Sequence, residues 1–253
     1  MDTSETMVEV RDLGYTVNQS VILEGISMAV HRGEVVGIMG MSGSGKTTLL
    51  KSMIGLVRPT SGDVLIAGES IADLPEKELS RVRRNMGMCF QYAALFDSLT
   101  VGENVAFPLR QHTDLAEDEI AAVVDQKLHM VGMAGTEERM PGELSGGERK
   151  RVGIARAIAL DPEIVLYDEP SSGLDPIMAG VIDDVIASLR DELGVASVVV
   201  SHHVQNVFAI CDQVVMLHEG RAIAQGTSED MQNSTDAAVR QFVEGAAHGP
   251  IVV

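Results

Sequence analysis

The sequence predicts an α/β fold in which a mainly parallel sheet is covered by helices. Two observations predict it. Short, β-branched apolar runs recur at 35–39, 86–90, 164–167, 195–200 and 214–217. Several are apolar throughout, as strands covered on both faces are. Helical patterns lie between them, and strands alternating with helices build parallel sheets. Ile120, Val123, Val124, Lys127, Leu128 and Val131 recur at helical spacing, with Gly132 as a stop. Asp175 reads as an N-cap with Pro176 at the first helical position. It opens a stripe of Val181, Val185, Ile186 and Leu189 that Gly194 closes.

The ends of this pattern differ. Residues 8–11 and 21–30 are strand-like with no helix between them, which predicts an antiparallel layer at the N-terminus. Residues 92–160 are rich in helix signals and poor in buried-strand runs, so they read as a helical subdomain inserted into the sheet domain. The expected organisation is a core of 1–91 and 161–226, the helical insert 92–160, and a tail 227–253 that serves dimer or partner contact.

Composition narrows the function classes. The hydrophobic fraction of 45 % is that of a folded chain, which excludes global disorder. With 37 acidic against 19 basic residues the formal charge is −18. That balance argues against a wide face that grips a phosphate backbone. Two cysteines give no disulfide framework and fit a reducing compartment. The N-terminus has no signal-peptide pattern, and no apolar run approaches the roughly 18 residues a membrane span needs. The chain is therefore expected in the cytosol, serving a membrane only through a partner.

Gly40-Met41-Ser42-Gly43-Ser44-Gly45-Lys46-Thr47 matches G-x-x-x-x-G-K-[ST], after a predicted strand and at the start of a helix that Thr48 continues. Glycines at 43 and 45 let the backbone curl so that successive N–H groups point at phosphate oxygens, and the helix N-terminus adds positive partial charge. Lys46 should reach the β- and γ-phosphates and the Thr47 hydroxyl should ligate Mg²⁺. The run 164–167 ends in Asp168 and Glu169. Adjacent strand residues point to opposite faces, so two roles are expected: Asp168 holding Mg²⁺ and Glu169 polarising the attacking water. A second glycine-rich helix start, Ser145-Gly146-Gly147-Glu148, has the spacing of a capping box.

Leu144-Ser-Gly-Gly-Glu148 resembles the signature motif of ATP-binding cassette (ABC) ATPases, and the order of motifs is similar to theirs along essentially the whole chain. The resemblance implies a RecA-like P-loop NTPase core with an N-terminal antiparallel β layer and an inserted helical subdomain. It implies ATP and Mg²⁺ as ligands, with Tyr15 stacking on adenine and Gln91 sensing Mg²⁺ and the γ-phosphate. Ser172-Gly-Leu-Asp175 corresponds to the D-loop, and His202 to the switch histidine. It also implies a head-to-tail homodimer, in which Ser145, Gly146, Gly147 and Asp175 of one copy close on ATP held by Lys46 of the other. Three positions depart from the common pattern: His203 where Asp usually follows the switch histidine, Met41 where Pro is frequent, and Glu148 where Gln is frequent. Motif order selects His202 over His203.

Residues 90–96, 101–112 and 239–250 are similar to the ABC ATPases of intermembrane phospholipid transport. That implies an integral membrane permease, a periplasmic lipid-binding subunit and a small cytosolic partner, with the chain peripheral at the cytoplasmic face of the inner membrane and no nucleic acid bound. Transport of organic solvents or other small molecules is the alternative within the family. An ABC ATPase acting on nucleic acid or ribosomes, or a small-molecule kinase, is the alternative outside it. Cys89 and Cys211 read as buried thiols, and no Cys/His cluster suggests zinc. Met86 and Met88 read as packing residues or as the lining of a partner groove. Arg81, Arg83 and Arg84 read either as a solvated helix end or as a contact with a partner subunit or anionic lipid.

Overall fold

The structure, a computed structural model, describes residues 5–251. Two sheets face each other. The first begins with a hairpin of β1 (Thr6–Val17) and β2 (Ser20–His31). The turn between them places Asn18 and Gln19 at positive φ, the backbone twist that a two-residue hairpin turn needs. β4 (Ser61–Ile66) and β5 (Glu69–Ser70) complete an antiparallel sheet in the order β2-β1-β4-β5.

The second sheet contains β3 (Val35–Gly40), β6 (Met86–Cys89), β7 (Ile164–Asp168), β8 (Ala196–Ser201) and β9 (Gln213–His218), all parallel. β10 (Arg221–Thr227) adds an antiparallel edge, and the order is β10-β9-β3-β8-β7-β6. Every residue of β3, β7 and β8 is buried, which is why their sequences lack alternation. The run at 86–90 ends as a strand at Cys89, and Phe90 emerges 37 % exposed. β4, β5 and β10 have no matching apolar run. β4 opens with polar residues, β5 has two residues, and β10 lies on an edge with no fully buried residue.

Two apolar clusters flank the parallel sheet. One fills the space between the two sheets around α1 (Lys46–Met53), with α2 (Glu76–Arg83) at its margin. The other lies on the opposite face. It joins the sheet to α3 (Val101–His112), α4 (Glu117–Met130), α5 (Gly146–Ala157) and α6 (Pro176–Leu193). Among the described residues of 92–160 there is no strand, and their apolar side chains share this cluster with β7 and β8. The segment that leads into α3 is held by Asn104. This fully buried side chain accepts from Phe96 N–H and donates to the carbonyls of Phe96, Leu99 and Thr100.

α6 is capped as expected: the Asp175 carboxylate accepts from the Ile177 and Met178 N–H groups, and Gly194 takes φ +64. Its buried face is turned by one residue from the expected stripe. Ala179, Ile182, Ile186 and Leu189 are buried, whereas Val181 and Val185 are half-buried. α7 (Val204–Ile210), α8 (Ser228–Gln232) and α9 (Ala237–Glu244) follow. Residues beyond β10 pack on their own chain, with Met231, Val239 and Ile251 in the second cluster. The buried Gln241 side chain donates to Ile251 O and accepts from Ile251 N–H, which clips the tail back onto α9.

Helix α5 approaches β6 closely at Gly87. A Cβ there would lie 2.3 Å from the carbonyl oxygen of Ala157, a backbone atom that cannot rotate away. Gly87→Ala should therefore destabilise the fold by about 1–3 kcal/mol, read as a lowered urea midpoint with unchanged slope.

Candidate functional site

Three glycines at positive φ, Gly40, Gly43 (φ +80°) and Gly45, shape the turn from β3 into α1. At Gly40, φ is +149° and a Cβ would lie 2.2 Å from Leu217 O. At Gly45, φ is +100° and a Cβ would lie 2.6 Å from the Leu23 side chain. Lys46 begins α1 and is 7 % exposed. Its ammonium bends over the loop and donates to Gly40 O at 2.7 Å and Met41 O at 2.8 Å. Burial lowers its pKa, and the charges of Glu169 and Asp168 oppose that. Ser44 Oγ is buried under the loop without a hydrogen-bond partner.

The end of β7 faces this loop. Thr47 Oγ1 donates to Asp168 Oδ1 at 3.0 Å. Burial raises the Asp168 pKa, the Thr47 hydrogen bond opposes the rise, and the neighbouring charge of Glu169 adds to it. At Glu169 the chain leaves extended geometry, with φ at +51°. Its N–H donates to Val200 O, and its carboxylate accepts from His202 Nδ1–H at 2.8 Å. The two acids thus meet different partners. His203 does not compete for Glu169: its ring stacks on His202 at 4.2 Å between centroids, its N–H bonds to Ser201 Oγ, and it opens α7.

Ser42, Gly43, Gly45, Lys46, Thr47, Thr48, Gln91, Glu169 and His202 line one cavity of about 430 Å³. Gly40, Met41 and Ser44 belong to the same loop without lining it, and Asp168 stands behind Thr47. Tyr15 is not brought to the cavity wall. It packs against the cluster between the sheets, paired in register with Leu23. The apolar wall is supplied by Ile22, the strand neighbour of Leu23, which the sequence reading passed over. Ser145, Gly146, Gly147 and Asp175 lie outside the cavity. Ser145 and Gly146 are exposed at the N-terminus of α5, where Ser145 and Glu148 form a capping box. Cβ atoms on Gly146 and Gly147 would meet Leu174 and Met178, so this helix start sits beside the Asp175 turn. Lys150, four residues into α5, was also passed over. Its signal was its place on the face shared by the buried Gly147 and Ile154.

The donor set fits a nucleotide with a hard cation. Among the described residues no three His, Cys, Asp or Glu side chains gather to hold a metal by themselves. A hydroxyl and a carboxylate from Thr47 and Asp168 suit Mg²⁺, which keeps waters and takes its other oxygens from a ligand's phosphates. The unpartnered Ser44 hydroxyl and the bare loop ahead of α1 suit anionic oxygens. Cys89 and Cys211 are buried, and burial pushes the Cys89 thiol up to about 11, so neither is a reactive thiolate.

The ABC transporter family model matches residues 23–172, and the chain belongs to that family. It is 43 % identical over 248 residues to the intermembrane phospholipid transport system ATP-binding protein MlaF of Haemophilus influenzae, covering 98 % of this chain and 94 % of that one. It is 43 % identical over 245 residues to MlaF of Escherichia coli K12, covering 97 % and 91 %. The solved dimeric, post-hydrolysis structure of the ATP-binding cassette MJ0796 bound to ADP and Pi superposes with a TM-score of 0.82 at 31 % identity, covering 88 % of this chain and 99 % of that one. The chain is an ATP-binding cassette with a P-loop NTPase core, the ATP-hydrolysing subunit of a transporter.

The helix after His202 is tied to α6. Asn206 Nδ2 donates to Asp183, a carboxylate 7 % exposed whose pKa burial pushes up to about 6. The folded chain therefore holds a proton there, between about 4 and 6, that the unfolded chain has released, so this group's contribution to stability falls as pH rises through that window. Asp183→Asn keeps an acceptor for Asn206 and removes the buried charge. It should raise stability above pH 6, by at most about 3 kcal/mol, and leave it unchanged below pH 4, as read by urea unfolding at both pH values.

Proposed function

We propose that the chain drives phospholipid transport between two membranes, as a homodimer beneath a permease pair at the cytoplasmic face of the inner membrane. The observation that carries the chemistry is the single cavity where Lys46, Thr47 and the Glu169–His202 pair converge. The substrate class rests on 43 % identity across nearly the whole of two phospholipid-transport ATPases.

Lys46 exchanges its two carbonyl bonds for β- and γ-phosphate oxygens, and the loop N–H groups and the start of α1 cradle the rest. Thr47, Asp168 and Gln91 are the residues that would hold Mg²⁺, and when bound it would neutralise charge on the phosphates. Glu169 orients and polarises the water, and His202 stands by the γ-phosphate. Ile22 and Tyr15 lie on the adenine side. Ser145, Gly146, Gly147 and Asp175 act in trans, which their place outside their own chain's cavity and the exposure of Ser145, Gly146 and Asp175 support.

A second cavity of about 450 Å³ fits the permease. Met86, Met88, Phe90, Phe96 and Phe107 line it, with Arg83, Arg84 and Arg156 at its rim. Arg81 and Arg83 pair with Glu69 and Glu76, and Arg81 and Arg84 stay exposed, as a solvated helix end that a partner at the groove can also reach. The groove receives a cytoplasmic helix of the permease, and a periplasmic lipid-binding subunit and a small cytosolic partner complete the assembly.

Glu169→Gln is expected to bind ATP normally, to hydrolyse it about 10²–10⁴-fold more slowly, and to accumulate as an ATP-dependent dimer on gel filtration. Normal turnover would remove Glu169 as the base. Lys46→Ala should weaken nucleotide binding by about 10–100-fold, the loss of a charge-assisted contact, measured by titration with a fluorescent ATP analogue. Detergent extraction of the tagged chain, expressed with its neighbouring genes, should recover an integral permease with bound phospholipid. Recovery of the chain alone, or ATPase stimulation by nucleic acid, would overturn the transport assignment.

A further inference from the structure

Two lysines besides Lys46 are buried. Lys127 pairs with Asp161, a salt bridge that accounts for its place in the core. Lys150 is different. It is 6 % exposed on α5, and its ammonium donates to two main-chain carbonyls, Gln91 O at 2.7 Å and Glu169 O at 3.0 Å. Burial lowers its pKa, opposed by the charges of Glu169 and Asp168. An ammonium taken out of water and matched only to neutral carbonyls is costly, so it is poor packing material for a helix that needs only an apolar anchor at this point.

The two carbonyls belong to functional turns. Gln91 directly follows the residue after β6, and Glu169 directly follows β7. Glu169 is a non-glycine residue at φ +51°, a conformation that persists only where the surroundings over-determine it. Its peptide is held from both sides. The N–H is tied to Val200 O, and the carbonyl accepts from Lys150 and from Ser172 N–H. That backbone geometry turns the carboxylate off the strand and onto His202.

We propose that Lys150 is a positioning residue for hydrolysis. Its ammonium locks the Glu169 peptide in the left-handed turn that aims the carboxylate, and ties that turn to the Gln91 segment. This rests on Glu169 being the base. Helix α5 also begins at the exposed Ser145 and Gly146, the edge assigned above to the partner copy's nucleotide. One rigid helix thus carries the trans contact at its first turn and the hold on its own chain's base at Lys150.

The test compares steady-state ATP hydrolysis and nucleotide binding in the full-length wild type, K150M, E169Q and K150M/E169Q. K150M should lower kcat about tenfold or more, with KM and nucleotide affinity within about twofold of wild type. In the E169Q background the same change should alter the residual rate by less than about twofold, because its effect passes through Glu169. Wild-type kcat in K150M overturns the assignment. So does a loss of equal size in both backgrounds, or a fall in nucleotide affinity that matches the fall in kcat. K150Q keeps amide donors on a shorter stem and should give an intermediate kcat at unchanged KM. If K150M does not fold, K150Q carries the comparison, and wild-type kcat there overturns the assignment. An E169Q variant at the wild-type rate shows instead that Glu169 is not the base, and the role of Lys150 falls with it.

Discussion

Everything in the site hangs on the order of four parallel strands. β3, β8, β7 and β6 lie side by side in that sequence, and parallel strands end at a common edge. The residues that follow them are therefore gathered whatever their distance along the chain: the loop from Gly40, then His202, then Asp168 and Glu169, then Gln91. Neighbouring strands are about 4.8 Å apart, so β8 alone separates β3 from β7. Thr47, one turn beyond β3, spans that gap to reach Asp168, and His202 emerges from β8 beside Glu169. Ligands collect at such carboxyl edges in open α/β sheets for the same reason. Gly87 belongs to this constraint as well, since it lets α5 lie against β6 and brings Lys150 beneath the edge.

The electrostatics of that edge are local. The chain carries a formal charge of −18 and nonetheless belongs to a family that binds a polyanion. The buried Lys46 ammonium and the N–H groups ahead of α1 face the site at close range, where solvent screening is weak, and the buried Lys150 ammonium holds the main chain of two residues that line it. Both ammonium groups rest on carbonyl oxygens, which hold them in place without neutralising them. Lys46 is therefore stored in a position from which a stronger acceptor displaces two weak ones. Asp168 is stored in the same sense: burial raises its pKa, and a cation at Thr47 would reverse that bias. Fixed dipoles and charges that need little rearrangement when the ligand arrives are what make such a site effective.

How far this was legible in the sequence follows from which interactions are local. The phosphate loop, the acid pair after 164–167, the capped start at Ser145 and the Asp175–Pro176 helix start are contiguous patterns with a mechanism in each residue, and they stand where they were read. Features set by register or by packing partners were not legible. Whether Tyr15 or Ile22 walls the cavity depends on the β1–β2 register, which a one-residue slip would reverse. The α6 stripe is rotated because two faces compete, one for the sheet and one, with Asp183, for α7. β10 escaped notice because an edge strand needs no apolar run. Lys150 escaped because a lysine in a helix is usually solvated, and only the approach of two carbonyls from distant turns makes it a buried link.

The same geometry bears on the proposed pairing of two copies. The charged and polar groups of the nucleotide cavity come from the loop, the ends of β7 and β8, and Gln91. The other glycine-rich helix start in the chain, at Ser145 and Gly146, is exposed and lies outside that cavity, with the Asp175 turn beside it. A phosphate chain seated on the loop would have solvent on its far side, where developing charge is poorly stabilised and the water is not confined. A second helix N-terminus on that side supplies what is missing, and only another copy can bring it, because α5 is fixed to its own sheet by Gly87, by Lys150 and by Arg156, which grips the carbonyls of Ala93 and Ala94. These ties fix α5 to its own sheet, so on the proposed head-to-tail arrangement its exposed first turn is held ready for the nucleotide of a second copy.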